Sequence, residues 1–172
     1  IRGRSTLTGN IAAGQTLWVN GTTRTDAVVT WNSGGANAGT IRLESSEAVA
    51  ASNLVLPSGT LVNTGLIDVR RGTGGGRSLI ANLDNRGTLA VGSTTRLTKT
   101  SNGVFSNSGA ITLASSDTLE VAVGAFTLQP GGTFPGGGML MLDRVALAGA
   151  GTIGALVEAY ESSVNPAGIL RI

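Results

Sequence analysis

The sequence contains no cysteine and no histidine. A chain without cysteine forms no disulfide, which suits a protein that is exported unfolded and folds outside the cell, although many cytosolic proteins also lack cysteine. The absence of histidine removes the commonest general base and the commonest metal ligand. We therefore expect a protein that is not an enzyme and that has no catalytic residues, no cofactor and no metal site.

Charge and aromatic residues are also scarce. Charged residues make up 13% of the chain, against about a quarter in an ordinary globular domain, and aromatic residues make up 3%. The basic residues are scattered, with Arg70-Arg71 as the one adjacent pair, so no nucleic-acid partner is expected, because such surfaces need a basic stripe with aromatic platforms. Apolar stretches are only a few residues long, far short of the roughly 20 that a membrane helix needs. No membrane-spanning segment is expected, and recurring short clusters of Ile, Leu and Val argue against disorder.

What the sequence does contain is a repeated phrase in which a glycine is followed by apolar residues two and four positions later. The asparagine and glycine of this phrase predict a tight turn, since both tolerate positive φ, and the alternation predicts a short strand with one buried face. Four copies carry both residues, and two later copies keep only the glycine: Asn37 and Gly39, Asn63 and Gly65, Asn85 and Gly87, Asn107 and Gly109, then Gly138 and Gly168.

The spacing of these glycines is the strongest indication of the fold. Successive glycines lie 26, 22, 22, 29 and 30 residues apart, a self-similarity typical of stacked repeats. We predict an all-β, right-handed parallel β-helix (β-solenoid) with three faces and about 22 or more residues per coil. A β-sandwich or jelly roll is the alternative, but it has no reason to repeat one turn at this spacing.

The predicted organisation is one elongated domain that is a fragment of a longer chain. Residues 1–36 are expected to form irregular first coils, continuous with the regular coils of residues 37–172. The repeated asparagines are expected to stack as a structural ladder whose amides satisfy one another along the axis. Trp18 and Trp31 are candidate platforms for a glycan, although packing within the protein is the favoured interpretation.

Other ligand chemistries fit the residues poorly. The acidic residues are scattered, and the predicted stacking of Asp68 on Arg42 indicates a surface ion pair. The run Gly72–Gly76 has neither the aspartate of a calcium β-roll nor the Gly-Lys-Ser/Thr end of a phosphate loop, which predicts a flexible loop. Threonine follows the glycine in only two of the six copies, so the regular threonine array of an ice-binding face is not expected.

The phrases at 63–69, 85–91 and 107–113 resemble the "N-x-G-T-I/L-x-V/L" coils of giant bacterial exoproteins, namely autotransporter passengers and filamentous-haemagglutinin-like adhesins. Residues 162–170 resemble the "v-x-P-G-x-S-P-G-x-L" coil of the same proteins, without its second proline. This resemblance implies a non-catalytic structural stalk or adhesin segment, secreted and located outside the cell or on the bacterial cell surface.

The partners that the resemblance implies are the adjoining segments of the parent chain and host or matrix glycans or proteins. Two other functions remain as alternatives. One is a self-assembling extracellular filament subunit, whose uncapped coils would associate end to end. The other is a carbohydrate-binding or polysaccharide-cleaving β-helix such as a phage tail spike.

Overall fold

The structure is a computed structural model that describes residues 1–22, 25–47 and 49–166, with the side chains of residues 100, 101 and 166 left out. Every regular element in these ranges is a β-strand. The strands are β1 (Arg4–Leu7), β2 (Thr16–Gly21), β3 (Ala27–Trp31), β4 (Gly35–Asn37), β5 (Thr40–Ser45), β6 (Ser52–Asn63), β7 (Leu66–Arg70), β8 (Arg77–Asn85), β9 (Thr88–Gly92), β10 (Thr95–Asn107), β11 (Ala110–Leu113), β12 (Thr118–Leu128), β13 (Thr133–Phe134), β14 (Met139–Gly149), β15 (Thr152–Ile153), β16 (Leu156–Tyr160) and β17 (Ser163–Pro166).

The strands form two parallel sheets that run the length of the stack. The larger sheet follows the order β1-β3-β6-β8-β10-β12-β14-β16, with β4 beside β6 and β17 beside β14. The smaller sheet follows the order β2-β5-β7-β9-β11-β13-β15. The chain alternates between the sheets, and one passage through both is called a coil. Asn63 lies opposite Asn85 and Asn85 opposite Asn107, which gives 22 residues per coil in this region. The prediction of a parallel β-solenoid with about 22 residues per coil is confirmed, and the stack has about seven coils.

Alternation of side chains along each strand creates the core. In β8 every second residue from Arg77 to Asn85 is buried, and the residues between them are half-buried. Equivalent positions on successive coils stack directly, so that Leu54, Leu79 and Leu97 form one column inside the larger sheet. Burying each leucine contributes about 1.5–3 kcal/mol. The core is continuous from Ile11 to Ala155, and residues 1–37 add strands β1 to β4 to the same two sheets.

The larger sheet bends in the middle. It therefore covers two faces of the solenoid, and the smaller sheet covers the remaining face. Four residues stack at this corner in the left-handed backbone region, with φ of 46° for Asn102, 61° for Val123, 55° for Arg144 and 47° for Glu161. Val123 is half-buried at this corner, although its strand neighbours Val121 and Ala122 are buried in the core. A β-branched residue is strained in this conformation, because its Cβ crowds the following carbonyl group.

The coil made of β8 and β9, called the narrow coil, is smaller than its neighbours. β8 has 9 residues, whereas β6 and β10 have 12 and 13. The loop from the smaller sheet back to the larger one is two residues long after β9, but six residues long after β7 and four after β11. The coils on both sides therefore project beyond the narrow coil at its corners.

Candidate functional site

The four predicted ladder asparagines lie at one corner and form a continuous chain of side-chain hydrogen bonds. Nδ2 of Asn37 donates to Oδ1 of Asn63 at 2.7 Å, and Nδ2 of Asn63 donates to Oδ1 of Asn85 at 2.7 Å. Nδ2 of Asn85 donates to Oδ1 of Asn107 at 2.6 Å. Each of the first three amides also donates to a backbone carbonyl of the next coil at 3.1 Å. All four side chains are essentially buried, so this ladder stabilises the corner rather than presenting a polar surface to a ligand.

The ladder ends at apolar side chains on both sides. Ile11 lies opposite Asn37, and Leu128 lies opposite Asn107, and both are buried. Because Ile11 has no donor to offer, Oδ1 of Asn37 is a buried acceptor without a hydrogen-bond partner among the described residues. The same column therefore accepts either asparagine or a branched aliphatic side chain.

The ladder glycines are needed for a different reason from the one predicted. Gly39, Gly65, Gly87 and Gly109 do not have positive φ, so the predicted turn geometry is wrong. A Cβ atom on Gly65 would lie 2.2 Å from the carbonyl oxygen of Gly39, and one on Gly87 would lie 2.2 Å from that of Gly65. Each glycine leaves room for the backbone of the preceding coil.

The later glycines of the predicted repeat need a correction. Ala110 lies opposite Thr133 and Thr133 opposite Thr152, so the column continues with Gly132 and Gly151 rather than with Gly138. Gly138 instead precedes β14, a strand of the larger sheet. The turn before Gly132 is two residues longer than the Asn-x-Gly turn, and Gly136 stands four residues after Gly132, where the repeated phrase has an apolar residue, so the phrase does not identify this coil. Gly168 lies outside the described residues.

The corrected register also changes the column of outward residues that begin the strands of the smaller sheet, each of which follows a glycine except in the first coil. Threonine occupies this position in five of the seven coils, more often than the sequence pattern indicated. From the first coil onward the column is Thr16, Thr40, Leu66, Thr88, Ala110, Thr133 and Thr152.

The two tryptophans have different environments. Trp31 is fully buried, and its indole nitrogen donates a hydrogen bond to the carbonyl oxygen of Gly9 at 2.9 Å. The interpretation of Trp31 as a glycan platform is therefore wrong. Trp18 is 43% exposed on the outer face of the smaller sheet, directly opposite Arg42 of the next coil. Of the two tryptophans, Trp18 is the one that offers an aromatic face to solvent.

The predicted ion pair between Arg42 and Asp68 is present on the same face. Nε of Arg42 lies 3.4 Å from Oδ2 of Asp68, and Nε of Arg70 donates to the same oxygen at 2.8 Å. The three side chains are 30%, 16% and 50% exposed, in the order Arg42, Asp68 and Arg70. At this exposure the pairs contribute at most about 1 kcal/mol, but they fix where the guanidinium groups lie.

The glycine-rich loop after β7 encloses a buried arginine. Arg77 points into the core and is 2% exposed, and its Nε donates to the carbonyl oxygen of Arg70 at 3.0 Å. Its other nitrogens donate to the carbonyl oxygens of Arg71, Gly74 and Gly75. Burial lowers the pKa of Arg77 from its ordinary value, and the charge of nearby Glu44 opposes this effect. The loop thus directs carbonyl oxygens onto a cation, which is the opposite polarity from a phosphate-binding loop.

Two cationic side chains cross the narrow coil and connect the coils on either side of it. Nη2 of Arg71 donates to Oδ1 of Asp117 at 2.7 Å and to Oγ of Ser116 at 2.9 Å, two coils further along. At another corner, Nζ of Lys99 reaches back to the carbonyl oxygens of Leu56 and Pro57. Neither contact is predictable from the sequence, because the partners meet only where the narrow coil separates them. The burial of Arg77 was not predicted either, although this residue begins the alternating series Arg77, Leu79, Ala81.

The narrow coil leaves a surface recess on the outer face of the smaller sheet, with a volume of about 470 Å³. Its floor consists of Ala90 and Gly92, the small outward residues of β9. Asp68, Arg70 and Arg71 form one wall, and Thr112 lies on the other. We call this feature the recess.

No family model, curated protein or solved structure matches this chain. The described residues include no helix long and apolar enough to cross a membrane. Nor do they include a group of three or more His, Cys, Asp or Glu side chains that could hold a metal ion.

Proposed function

We propose that this chain is a structural stalk or adhesin segment of a secreted bacterial surface protein and that it has no catalytic role. The observation that carries the proposal is the uninterrupted stack, in which two parallel sheets and one core continue through the described coils. A rigid stack of this kind sets a fixed distance between the segments that adjoin it, because each coil adds about 4.8 Å along the axis.

The arrangement of charged groups supports a non-catalytic role. Within the part of the chain that the structure describes, five of the ten acidic residues form ion pairs with arginine, so their carboxylates are engaged in electrostatic contacts along the surface of the stack: Asp68, Asp84, Asp117, Glu120 and Asp143. The proposed surface location is supported by the resemblance to exoprotein coils and by the absence of cysteine.

The proposal is tested by removing whole coils. Because Asn63, Asn85 and Asn107 occupy one register, deletion of residues 64–85 removes one coil, and deletion of residues 64–107 removes two. We expect both variants to keep the β-sheet circular dichroism spectrum and to shorten by about 4.8 Å per coil. The cysteine-free chain accepts a dye pair after Thr6→Cys and Ser163→Cys, two exposed positions at opposite ends of the described stack. Fluorescence energy transfer between the dyes then measures the length.

The matched control is deletion of residues 64–74, which removes half a coil. This change places the sheet strands out of register and exposes their apolar faces, so it should abolish the folded spectrum. Energy transfer that does not rise with each whole coil removed would refute a stack of fixed pitch, and with it the stalk. A scattering profile much longer than the single chain would favour end-to-end assembly instead.

A further inference from the structure

The recess has walls that hold charge and a floor that does not. Ala90 lies between Asp68 and Thr112 in one outward column, and Gly92 lies beside Arg70 in the next. The floor therefore presents only a methyl group and a Cα atom, while the neighbouring coils raise polar side chains on both sides. Except for Arg71, the residues of the floor and of both walls belong to hydrogen-bonded strands, so a ligand would not have to order their backbone.

The guanidinium groups of this wall keep hydrogen-bonding capacity beyond the carboxylates that they contact. Arg70 donates from Nε to Asp68, and Arg71 donates from Nη2 to Asp117 and Ser116. A guanidinium carries five N–H donors, so each arginine has further donors on its exposed side. The side chains of Arg70 and Arg71 are 50% and 61% exposed. Arg42, Arg70 and Arg71 contact the carboxylates of Asp68 and Asp117. Glu44 adds a third carboxylate and Arg77 a fourth cation directly behind this wall, which leaves the region with an excess of one positive charge.

We propose that the recess binds an acidic sugar, with a uronate or sulfate group on Arg70 and Arg71 and the face of the sugar ring on Ala90 and Gly92. Planar guanidinium groups suit carboxylate and sulfate oxygens, which they bind through paired hydrogen bonds. Asp68 accepts hydrogen bonds from ring hydroxyls. The hydroxyl of Thr112, on the opposite wall, donates hydrogen bonds to the sugar and accepts them from it. A small inorganic anion would use the arginines but would have no need of the flat apolar floor.

Binding is measured by calorimetry at low salt with trimannuronate as the acidic probe, mannotriose as its neutral counterpart and sulfate as a bare anion. We expect trimannuronate to bind, mannotriose to bind at least tenfold more weakly, and the affinity for trimannuronate to fall as salt is added. Arg70→Gln should weaken binding of trimannuronate about tenfold, the loss typical of one charged hydrogen bond.

Ala90→Phe fills the recess without changing its charge and should abolish binding. Its matched control is Thr88→Phe, which adds the same ring to an outward position of the same strand outside the recess. Arg86→Gln removes an exposed guanidinium elsewhere and controls for general electrostatics. Both controls should leave the affinity unchanged, and thermal melts of all four variants verify that each is folded.

Three results would overturn the assignment. They are absence of trimannuronate binding at millimolar concentrations, equal affinity for mannotriose, and an affinity that Ala90→Phe leaves intact. Binding of sulfate as tightly as trimannuronate would reduce the recess to a simple anion site and would also overturn the sugar proposal. The dye-distance measurement on the coil deletions involves no ligand, so failure of this inference and failure of the stalk proposal are distinguishable.

Discussion

Replacing one asparagine of the ladder by leucine should have an effect that depends on its position in the column. Leucine is the appropriate replacement, because Leu128 already occupies this column in the coil after Asn107 and is buried there. Asn37 and Asn85 are both fully buried, so the apolar gain of the two substitutions is similar and cancels in their comparison. What differs is the number of hydrogen bonds and of unpaired acceptors.

Asn37→Leu removes one ladder hydrogen bond and leaves Oδ1 of Asn63 without a donor, but it also removes the unpaired Oδ1 of Asn37. The number of unpaired acceptors is unchanged. Asn85→Leu removes two ladder hydrogen bonds and leaves Oδ1 of Asn107 without a donor. An additional hydrogen bond is worth about 0.5–1.5 kcal/mol, and an additional buried unpaired acceptor costs about 1–3 kcal/mol. Asn85→Leu should therefore reduce the free energy of unfolding by roughly 2–4 kcal/mol more than Asn37→Leu does.

Equilibrium urea unfolding measures this difference, followed by circular dichroism and by tryptophan fluorescence on the same samples. Coincidence of the two transitions shows that the whole stack unfolds together, which a repeat protein does not guarantee. Equal losses for the two variants would refute the argument, since they would show that continuity of the ladder contributes nothing beyond the count of asparagines. A larger loss of unfolding free energy for Asn37→Leu than for Asn85→Leu would also refute the argument.

Three further predictions concern backbone strain, close packing and pH. Val123→Asn should raise the free energy of unfolding by about 1 kcal/mol in a urea titration, because asparagine tolerates the left-handed backbone that strains valine. Gly87→Ala should lower it by about 1–3 kcal/mol or more in the same assay, because the new Cβ atom meets the carbonyl oxygen of Gly65. The melting temperature should be nearly constant from about pH 5 to 9, since no histidine or cysteine titrates there. The hydrogen bond from Arg144 lowers the pKa of Asp143. The contribution of this ion pair to stability is therefore present above the pKa of Asp143 in the unfolded chain and is lost as the pH falls through its pKa in the folded protein.

Each of these predictions has a matched control. Asn102→Val places a β-branched residue at the same corner and should be destabilising by a similar amount, so a neutral result would contradict the strain argument. Gly76→Ala adds a Cβ atom where no atom lies within 4 Å and should be neutral, unlike Gly87→Ala. The melting temperature of Asp143→Asn should equal that of the parent protein in strong acid and should be lower than that of the parent protein at neutral pH. A melting temperature that changed steeply near pH 6.5 would contradict the expected pH independence.

Several functional details depend on the length of loops that the sequence pattern does not reveal. The recess exists because two residues connect β9 to the next strand where the neighbouring coils use six and four. Arg71 and Lys99 find partners more than 40 residues away for the same reason. From the sequence, Arg71 is one of two adjacent arginines beside a glycine-rich run, and nothing local distinguishes it from Arg70. The sequence did predict the contact between Arg42 and Asp68, because both lie in regular strands whose spacing is preserved.

The amino-acid sequence by itself determined the class of fold. Alternation of apolar residues is a local property of an extended chain, and its return every 22 residues aligns equivalent side chains on successive coils, so the stacked strands and the asparagine ladder follow from the pattern. Only the tertiary structure decided the register beyond Asn107, the burial of Trp31 and the left-handed corner at Val123. These depend on how many residues each corner inserts and on which backbone atoms of the preceding coil lie against it. Such contacts between coils have no counterpart in the local sequence.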